Sequence, residues 1–221
     1  MLSDDEIARR WRDVRASLDA TNRRITLVAV TKTFPVESWA AIVRAGGTDV
    51  GENYAQELVA KSEEFSRRYP DLARPRVHFI GQLQSNKVRL LAEHVDLWQS
   101  VDRASLVDEI ARRAPGAHVL VQVDATGESG KGGCELDQVS GLVAHAIDRG
   151  LTVDGVMVVG PTDGDPVRTR TAFERTAEVA DQEGLAVRSM GMSADLGVAL
   201  SCGSTMVRIG SAIFGDRPPV G

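Results

Sequence analysis

The chain has 221 residues, 43% hydrophobic and 26% charged, which fits one large globular domain or two small ones. A formal net charge of −5 and the lack of a long basic run argue against a nucleic-acid partner. No apolar signal core opens the chain and no later run approaches membrane-spanning length, so we expect a cytoplasmic protein with no membrane partner. Cys134 and Cys202 form no CxxC motif or Cys/His cluster, which predicts free thiols and no metal site.

The first predicted element is a helix over about residues 3–20. Ser3 followed by Glu6 resembles a capping box. Apolar side chains then recur at helical spacing, at Ile7, Trp11, Val14 and Leu18. Residues 25–31 follow, apolar through nearly their whole length, which is typical of a parallel strand covered on both faces.

The alternation of strand and helix then continues to residue 209. The predicted strands are 25–31, 48–50, 76–80, 97–99, 117–123, 153–158, 186–190 and 206–209. The predicted helices between them are 36–45, 54–68, 85–93, 104–113, 135–149, 166–183 and 193–202. Eight such units predict an α/β protein: a single (β/α)₈ TIM-type barrel over residues 1–221 with an extra N-terminal helix. The alternative is an open, doubly wound sheet.

Two neighbouring strand ends carry residues suited to an anion. Gly191 and Ser193 open one predicted helix, and Gly210 and Ser211 open a short final turn. Glycines let the backbone approach a ligand closely, and helix-initiating N–H groups with a serine hydroxyl favour phosphate. Barrels often bind phosphate after strands seven and eight. The alternative is that Ser193 only caps its helix and Gly210 only forms a tight turn.

Lys32 ends the apolar first strand. It is either a solvated rim residue or an amine that projects into the mouth of the barrel. Desolvation favours the neutral amine, which is the form that condenses with a carbonyl. A phosphate site across the same mouth favours the second interpretation, because a phosphorylated aldehyde would satisfy both groups.

Five segments together resemble the pyridoxal phosphate homeostasis protein family. They are VTKTFP (30–35), GENYAQE (51–57), HFIGQLQSNK (78–87), GMSAD (191–195) and GSTMVRIGSAIFG (203–215). The resemblance covers essentially the whole chain, in order and spacing. It implies the barrel of fold type III proteins that depend on pyridoxal 5′-phosphate (PLP), which is similar to the N-terminal barrel of alanine racemase.

The resemblance also implies a role for particular residues. Lys32 matches the family lysine that forms a Schiff base with PLP. Arg208 matches the arginine that faces the pyridine nitrogen, and Asn53 lies in the motif beside the ring. These assignments are carried over position by position.

The remaining implied contacts concern the phosphate and two neighbouring strands. Ser193, Gly210 and Ser211 match positions that hold the phosphate, and Ile80 and Met157 are expected to contact the cofactor. Serine at 211 replaces the more usual threonine and keeps the hydroxyl. The sixth strand's exit, GVMVVGP (155–161), departs from the family pattern. His78 is expected near the site as a strand-end residue, although the histidines lack metal-ligand spacing.

The sequence favours a carrier over an enzyme. A racemase needs a second acid or base opposite Lys32, which fold-related alanine racemases take from another subunit as a tyrosine, with help from a second domain. Here the tyrosines are Tyr54 and Tyr69, and the barrel uses the whole chain. We therefore expect a monomeric, non-catalytic protein that holds PLP and buffers it or delivers it to apo PLP-dependent enzymes. The alternative is an amino-acid racemase-like PLP enzyme.

Overall fold

In the computed structural model, the described residues 2–128 and 130–215 form one closed barrel of parallel strands in sequential order. The other residues of the predicted 1–221 domain lie outside this description. The strands are β1 (Thr26–Val30), β2 (Asp49–Glu52), β3 (Arg76–Phe79), β4 (Leu97–Val101), β5 (His118–Val123), β6 (Thr152–Val158), β7 (Val187–Ser189) and β8 (Met206–Ile209). Because β1 pairs with both β2 and β8, the sheet closes, and the open-sheet alternative is wrong.

Helices follow the strands as the sequence predicts. They are α1 (Asp4–Asp19), α2 (Glu37–Arg44), α3 (Ala55–Arg68), α4 (Ser85–Leu91), α5 (Ala104–Arg113), α6 (Val139–Asp148), α7 (Pro166–Gln182), α8 (Leu196–Ser201) and α9 (Ser211–Phe214). The extra N-terminal helix is confirmed as α1. It begins after Ser3, whose Oγ accepts a hydrogen bond from the backbone N–H of Glu6 at 3.3 Å.

Two helices begin three or more residues later than predicted. The helix expected over 135–149 opens with a short 3₁₀ turn, Leu136–Gln138, before α6 begins. The helix expected to open at Ser193 begins instead at Leu196, with Asp195 in the N-cap position. The Asp195 carboxylate accepts a hydrogen bond from the backbone N–H of Met192 at 2.5 Å and so closes the turn that precedes α8. Ser193 therefore lies in the turn before α8 rather than at its N-cap.

The interior of the barrel combines an apolar cluster with buried polar side chains. The apolar cluster consists of Val28, Leu97, Leu120, Met157 and Met206. The polar set buried in the same interior is His78, Gln99, Ser189 and Arg208. A larger core between barrel and helices fixes the strand ends, and hence the site, in place.

Neither cysteine is bonded: Cys134 is a buried free thiol and Cys202 a partly exposed one. Within residues 2–128 and 130–215, no cluster of three His, Cys, Asp or Glu side chains could hold a metal ion. Nor does any helix of that region have the length and apolar character needed to cross a membrane.

Candidate functional site

A pocket of about 460 Å³ opens where the carboxyl ends of the strands meet. Parallel barrels place their functional residues at this face. Seven predicted site residues line the pocket: Lys32, Asn53, Ile80, Ser193, Arg208, Gly210 and Ser211. The structure thus brings together residues that lie up to 179 positions apart in the chain (211 minus 32).

Met157 is the predicted site residue that does not line this pocket. Its side chain is 1% exposed and packs in the apolar interior cluster. Val159 lines the pocket instead. Side chains two residues apart in extended backbone share a face, so Val159 lies on the same face as Met157 but closer to the barrel mouth.

The backbone on both sides of Lys32 is held by one ion pair from α3. The Lys61 ammonium donates to the carbonyl oxygen of Thr31 at 2.6 Å, and the Glu57 carboxylate accepts from the N–H of Thr33 at 2.6 Å. Lys61 and Glu57 are themselves 2.6 Å apart. Thr33 has a φ of +68°, a left-handed conformation that a β-branched residue adopts at a cost. This pair is a second layer beneath Lys32 that the sequence did not reveal.

A buried carboxylate completes that layer. Glu52 accepts hydrogen bonds from Lys61 at 2.8 Å, from the Thr31 hydroxyl at 2.6 Å and from the Trp39 indole at 3.0 Å. Burial raises the pKa of Glu52 above its usual value, although the neighbouring Lys61 charge acts in the opposite direction. The first strand end is therefore fixed by a dense polar network rather than by apolar packing alone.

Arg208 is almost wholly buried, at 4% exposed. Its Nη1 donates to both the carbonyl oxygen and the hydroxyl of Ser189, each at 2.7 Å, and its Nη2 donates to the carbonyl oxygen of Val158 at 2.8 Å. Burial lowers the pKa of Arg208 to about 10, while Asp195 opposes this shift. The guanidinium therefore stays charged at neutral pH, with its orientation fixed.

Ser193 and Ser211 line the side of the pocket formed after β7 and β8. The Ser193 hydroxyl accepts a hydrogen bond from the backbone N–H of Ala212 at 3.3 Å, which ties the turn before α8 to α9. Gly210 occupies the N-cap position of α9 and Ser211 its first turn. Hydroxyls and N–H groups at this position suit an anion.

Asn53 follows β2 and also lines the pocket, and its Oδ1 atom is buried with no hydrogen-bond partner among the described residues. Gly81 presses against it: a Cβ at position 81 would lie 2.1 Å from the carbonyl oxygen of Asn53. Only glycine fits there, so the β3 exit helps to position Asn53.

His78 does not line the pocket, in contrast to the expectation that it lies at the site. It is fully buried inside the barrel, with its Nε2 2.9 Å from the Oδ1 of Asp49. Burial lowers the pKa of His78, and the adjacent Asp49 acts against this shift. The ring is thus an interior, neutral group.

The residues that line the pocket bring a primary amine, a buried guanidinium, serine hydroxyls and an amide side chain to one small cavity. Such a set is suited to a small phosphorylated compound with a carbonyl group and a polar ring.

Comparison with known proteins assigns the chain to a family. The sequence profile of the family described as alanine racemase, N-terminal domain, matches residues 2–218. A pyridoxal phosphate homeostasis protein of Vibrio alginolyticus is 40% identical over 208 residues, covering 89% of this chain and 88% of that protein. Another, of Escherichia coli K12, is 37% identical and covers 96% and 97%. This chain belongs to the pyridoxal phosphate homeostasis protein family.

Solved structures agree with this membership. PipY of Synechococcus elongatus PCC7942, solved with PLP bound, superposes with a TM-score of 0.84 at 28% identity, covering 95% of this chain and all of that one. An alanine racemase of Bacillus anthracis superposes with a TM-score of 0.74 at 18% identity, covering 98% of this chain and 57% of that one. The latter similarity concerns the fold alone. The resemblance to the family and to the racemase barrel is confirmed.

Proposed function

We propose that this protein binds pyridoxal 5′-phosphate at the carboxyl end of the barrel, as a Schiff base on Lys32, and buffers or delivers the cofactor without robust catalysis. The observation that carries the proposal is the convergence of Lys32, Arg208, Ser193 and Ser211 on one pocket. The names of the family members and the PLP bound in PipY support it.

The residues present fit this cofactor chemically. Lys32 offers the amine, Ser193 and Ser211 would hold the phosphate with the backbone at Gly210, and Ile80 would contact the ring. The buried, unpartnered Oδ1 of Asn53 is an acceptor that a polar ligand could satisfy. A volume of about 460 Å³ lies within the ordinary range for small-molecule sites.

When bound, the cofactor supplies an aldehyde, whose carbon forms a C=N bond with the Lys32 nitrogen while one water molecule is released. Arg208 would donate a hydrogen bond to the pyridine nitrogen. A guanidinium only donates and keeps its proton. The ring nitrogen would then remain unprotonated, which makes the ring a poorer acceptor of electrons and favours holding over turnover.

The lining of the pocket also favours a carrier. Among the described residues that form it, Lys32 and Arg208 are the only titratable side chains. Racemisation needs a second acid or base opposite Lys32. Tyr54, the tyrosine within the GENYAQE motif, is 54% exposed and does not line the pocket.

The test starts with purified protein and PLP. We expect a visible absorption band, a borohydride-trapped adduct on the peptide that contains Lys32, and no D-alanine after addition of L-alanine. Lys32→Ala should abolish the adduct, whereas the control Lys87→Ala, outside the pocket, should retain it. An adduct on another lysine would overturn the Lys32 assignment, and steady D-alanine formation would make the protein an enzyme.

Transfer to apo PLP-dependent enzymes is the second part of the proposal. PLP-loaded protein should reactivate an apo enzyme in the presence of a scavenger that destroys free PLP. Reactivation that stops when the scavenger is added would indicate simple release. The predicted monomeric state can be tested by light scattering, and the cytoplasmic location stays a prediction.

A further inference from the structure

A continuous chain of side-chain hydrogen bonds runs through the barrel interior from Arg208 to Asp49. Arg208 Nη1 donates to the Ser189 hydroxyl at 2.7 Å, and that hydroxyl donates to Gln99 Oε1 at 2.7 Å. Gln99 Nε2 lies 2.7 Å from His78 Nδ1, and His78 Nε2 lies 2.9 Å from Asp49 Oδ1. Besides β8, which carries Arg208, four strands contribute one residue each to this series: β7, β4, β3 and β2.

All the hydrogen bonds in this series are donated in the same direction, from Arg208 toward Asp49. An amide nitrogen can only donate, so His78 Nδ1 must accept from Gln99, and the ring proton lies on Nε2. That proton is donated to the Asp49 carboxylate. Each group from Arg208 onward therefore donates to the next, and hydrogen bonds aligned in this way polarise one another.

This series of hydrogen bonds is important because the charge of Arg208, at its first member, is buried. Arg208 is 4% exposed, and its contacts are carbonyl oxygens and one hydroxyl rather than a carboxylate. His78, Gln99 and Ser189 are all fully buried. A buried cation needs compensation, and the Asp195 carboxylate supplies one part of it. Here the aligned dipoles end on a carboxylate at the amino-terminal end of the barrel, where Asp49 lines a separate pocket with residues of α1.

The pKa values are consistent with a neutral link and a charged terminus. Burial lowers the pKa of His78 although Asp49 opposes this shift. Burial alone would raise the pKa of Asp49, but the hydrogen bonds from His78 and Thr48 outweigh it, and the pKa lies below its usual value. His78 is thus neutral and Asp49 ionised near pH 7.

We propose that Ser189, Gln99, His78 and Asp49 are positioning residues that orient the Arg208 guanidinium toward the cofactor and compensate its charge from the opposite end of the barrel. The inference rests on the proposed function, in which Arg208 meets the ring nitrogen of PLP. Its consequence is that a change at Asp49, outside the cofactor pocket, alters the binding and absorption of the cofactor.

Ser189→Ala breaks the chain at its first link and leaves the two carbonyl contacts of Arg208 in place. We expect PLP to bind about 10-fold more weakly, as for the loss of a hydrogen bond to a charged group, with a shifted absorption maximum. Ser189→Thr restores a hydroxyl and should recover most of the affinity. Ser100→Ala is the matched control: Ser100 is 2% exposed, on β4 beside Gln99, and its hydroxyl has no partner among the described residues.

Asp49→Asn tests the far end, and the double variant tests the connection. Asp49→Asn should weaken PLP binding and shift the band in the same direction as Ser189→Ala. In the double variant the second change should add little, because the chain is already broken. Full additivity, or an unchanged dissociation constant and band in either single variant, would overturn the proposal.

A measurement without PLP separates this inference from the proposed function. In the ¹⁵N spectrum of the protein alone, His78 should be the neutral ring with its proton on Nε2, and the Arg208 guanidinium signal should move in Ser189→Ala and Asp49→Asn. A proton on Nδ1, or an Arg208 signal that is unchanged in both variants, would refute the hydrogen-bond connection between Asp49 and Arg208. If these results hold but the wild-type protein binds no PLP, the hydrogen-bond connection to Arg208 is supported. Its role in cofactor binding is then overturned together with the proposed function.

Discussion

The Glu57 carboxylate, on α3, accepts a hydrogen bond of 2.6 Å from the backbone N–H of Thr33, which directly follows Lys32 in the loop after β1. Thr33 has a φ of +68°. Such a conformation costs roughly 1–2 kcal/mol for an L-residue with a Cβ. Because Glu57 also binds Lys61, which donates to the carbonyl oxygen of Thr31, one ion pair holds the backbone on both sides of Lys32, including the strained Thr33.

Glu57→Ala should therefore destabilise the protein. It removes the acceptor of the Thr33 N–H and one of the two carboxylate partners of Lys61, a residue only 5% exposed. We expect the free energy of unfolding in urea to fall by about 2 kcal/mol. Glu63→Ala, on the exposed face of the same helix, is the control and should stay within about 0.5 kcal/mol of wild type. Equal midpoints for the two variants would show that the Glu57 contact contributes nothing.

Thr33→Gly relieves the backbone strain directly. Glycine adopts positive φ without cost, but it also gains freedom in the unfolded chain, so the net gain should be small, about 0.5 kcal/mol. Thr33→Val keeps the β-branched side chain and therefore the strain, and it removes only a hydroxyl that has no partner among the described residues. Thermal unfolding of both variants gives the comparison. A glycine variant markedly less stable than the valine variant would mean that the conformation at 33 is not strained.

Much of the fold could be predicted because long apolar runs and helical stripes mark the elements of a parallel barrel. β1 and α1 follow those signals closely. The helix start at Leu196 could not be predicted from Ser193, because Ser, Asp and Gly all favour a cap and the turn at residues 193–195 decides between them. A pattern that fits two caps does not fix the boundary.

The residues of the site were also predictable only in part. Lys32 and Arg208 could be placed because they stand at strand ends in motifs that resemble a family. Met157 could not, because the apolar run at the end of β6 gives no sign of which residue reaches the rim; Val159, just after the strand, does so. Gln99 and Lys61 were missed because partners in their networks lie on other elements, and their contacts depend on barrel register and helix rotation.

Gly81→Ala tests how tightly the β3 exit packs on the pocket. The added Cβ would lie 2.1 Å from the carbonyl oxygen of Asn53 and 2.7 Å from its Cα, both rigid backbone atoms. We expect a loss of about 1–3 kcal/mol of stability, as for overpacking, together with weaker PLP binding. Gly141→Ala, on α6 with no atom within 4 Å of its added Cβ, should instead gain about 0.5–1 kcal/mol. Similar behaviour of the two variants would contradict the close approach.

Ser211→Ala tests the proposed phosphate contact. If the hydroxyl binds the phosphate, its removal should weaken PLP binding by about 1–3 kcal/mol, while the stability of the protein without PLP stays near wild type because Ser211 is exposed. Absorption titration with PLP gives the dissociation constants. Ser17→Ala, on the exposed face of α1, is the control. An unchanged affinity would remove Ser211 from the site.

The buried imidazole of His78 should make the protein less stable in mild acid. Its pKa is lowered by burial in the folded state, so the unfolded chain binds one more proton once the pH falls through the ordinary value of about 6.5. The free energy of unfolding should then decrease, with a slope approaching 1.4 kcal/mol per pH unit from this group, until the lowered folded value is reached. The lowered pKa of Asp49 acts only below about pH 4, so it does not contribute between pH 7.5 and 5.5.

Urea unfolding of wild type and His78→Gln at pH 7.5, 6.5 and 5.5 measures this slope. The variant should lose it, although it starts less stable, whereas His118→Gln should keep it because the His118 side chain is half-exposed. Because the raised pKa of the buried Glu52 acts with the opposite sign, the contribution of His78 is read from the difference between wild type and His78→Gln. The same pH dependence in both proteins would mean that His78 becomes protonated in the folded protein as easily as in water. That result would be incompatible with a neutral His78 linking Gln99 to Asp49, and it would break the connection between the two ends of the barrel.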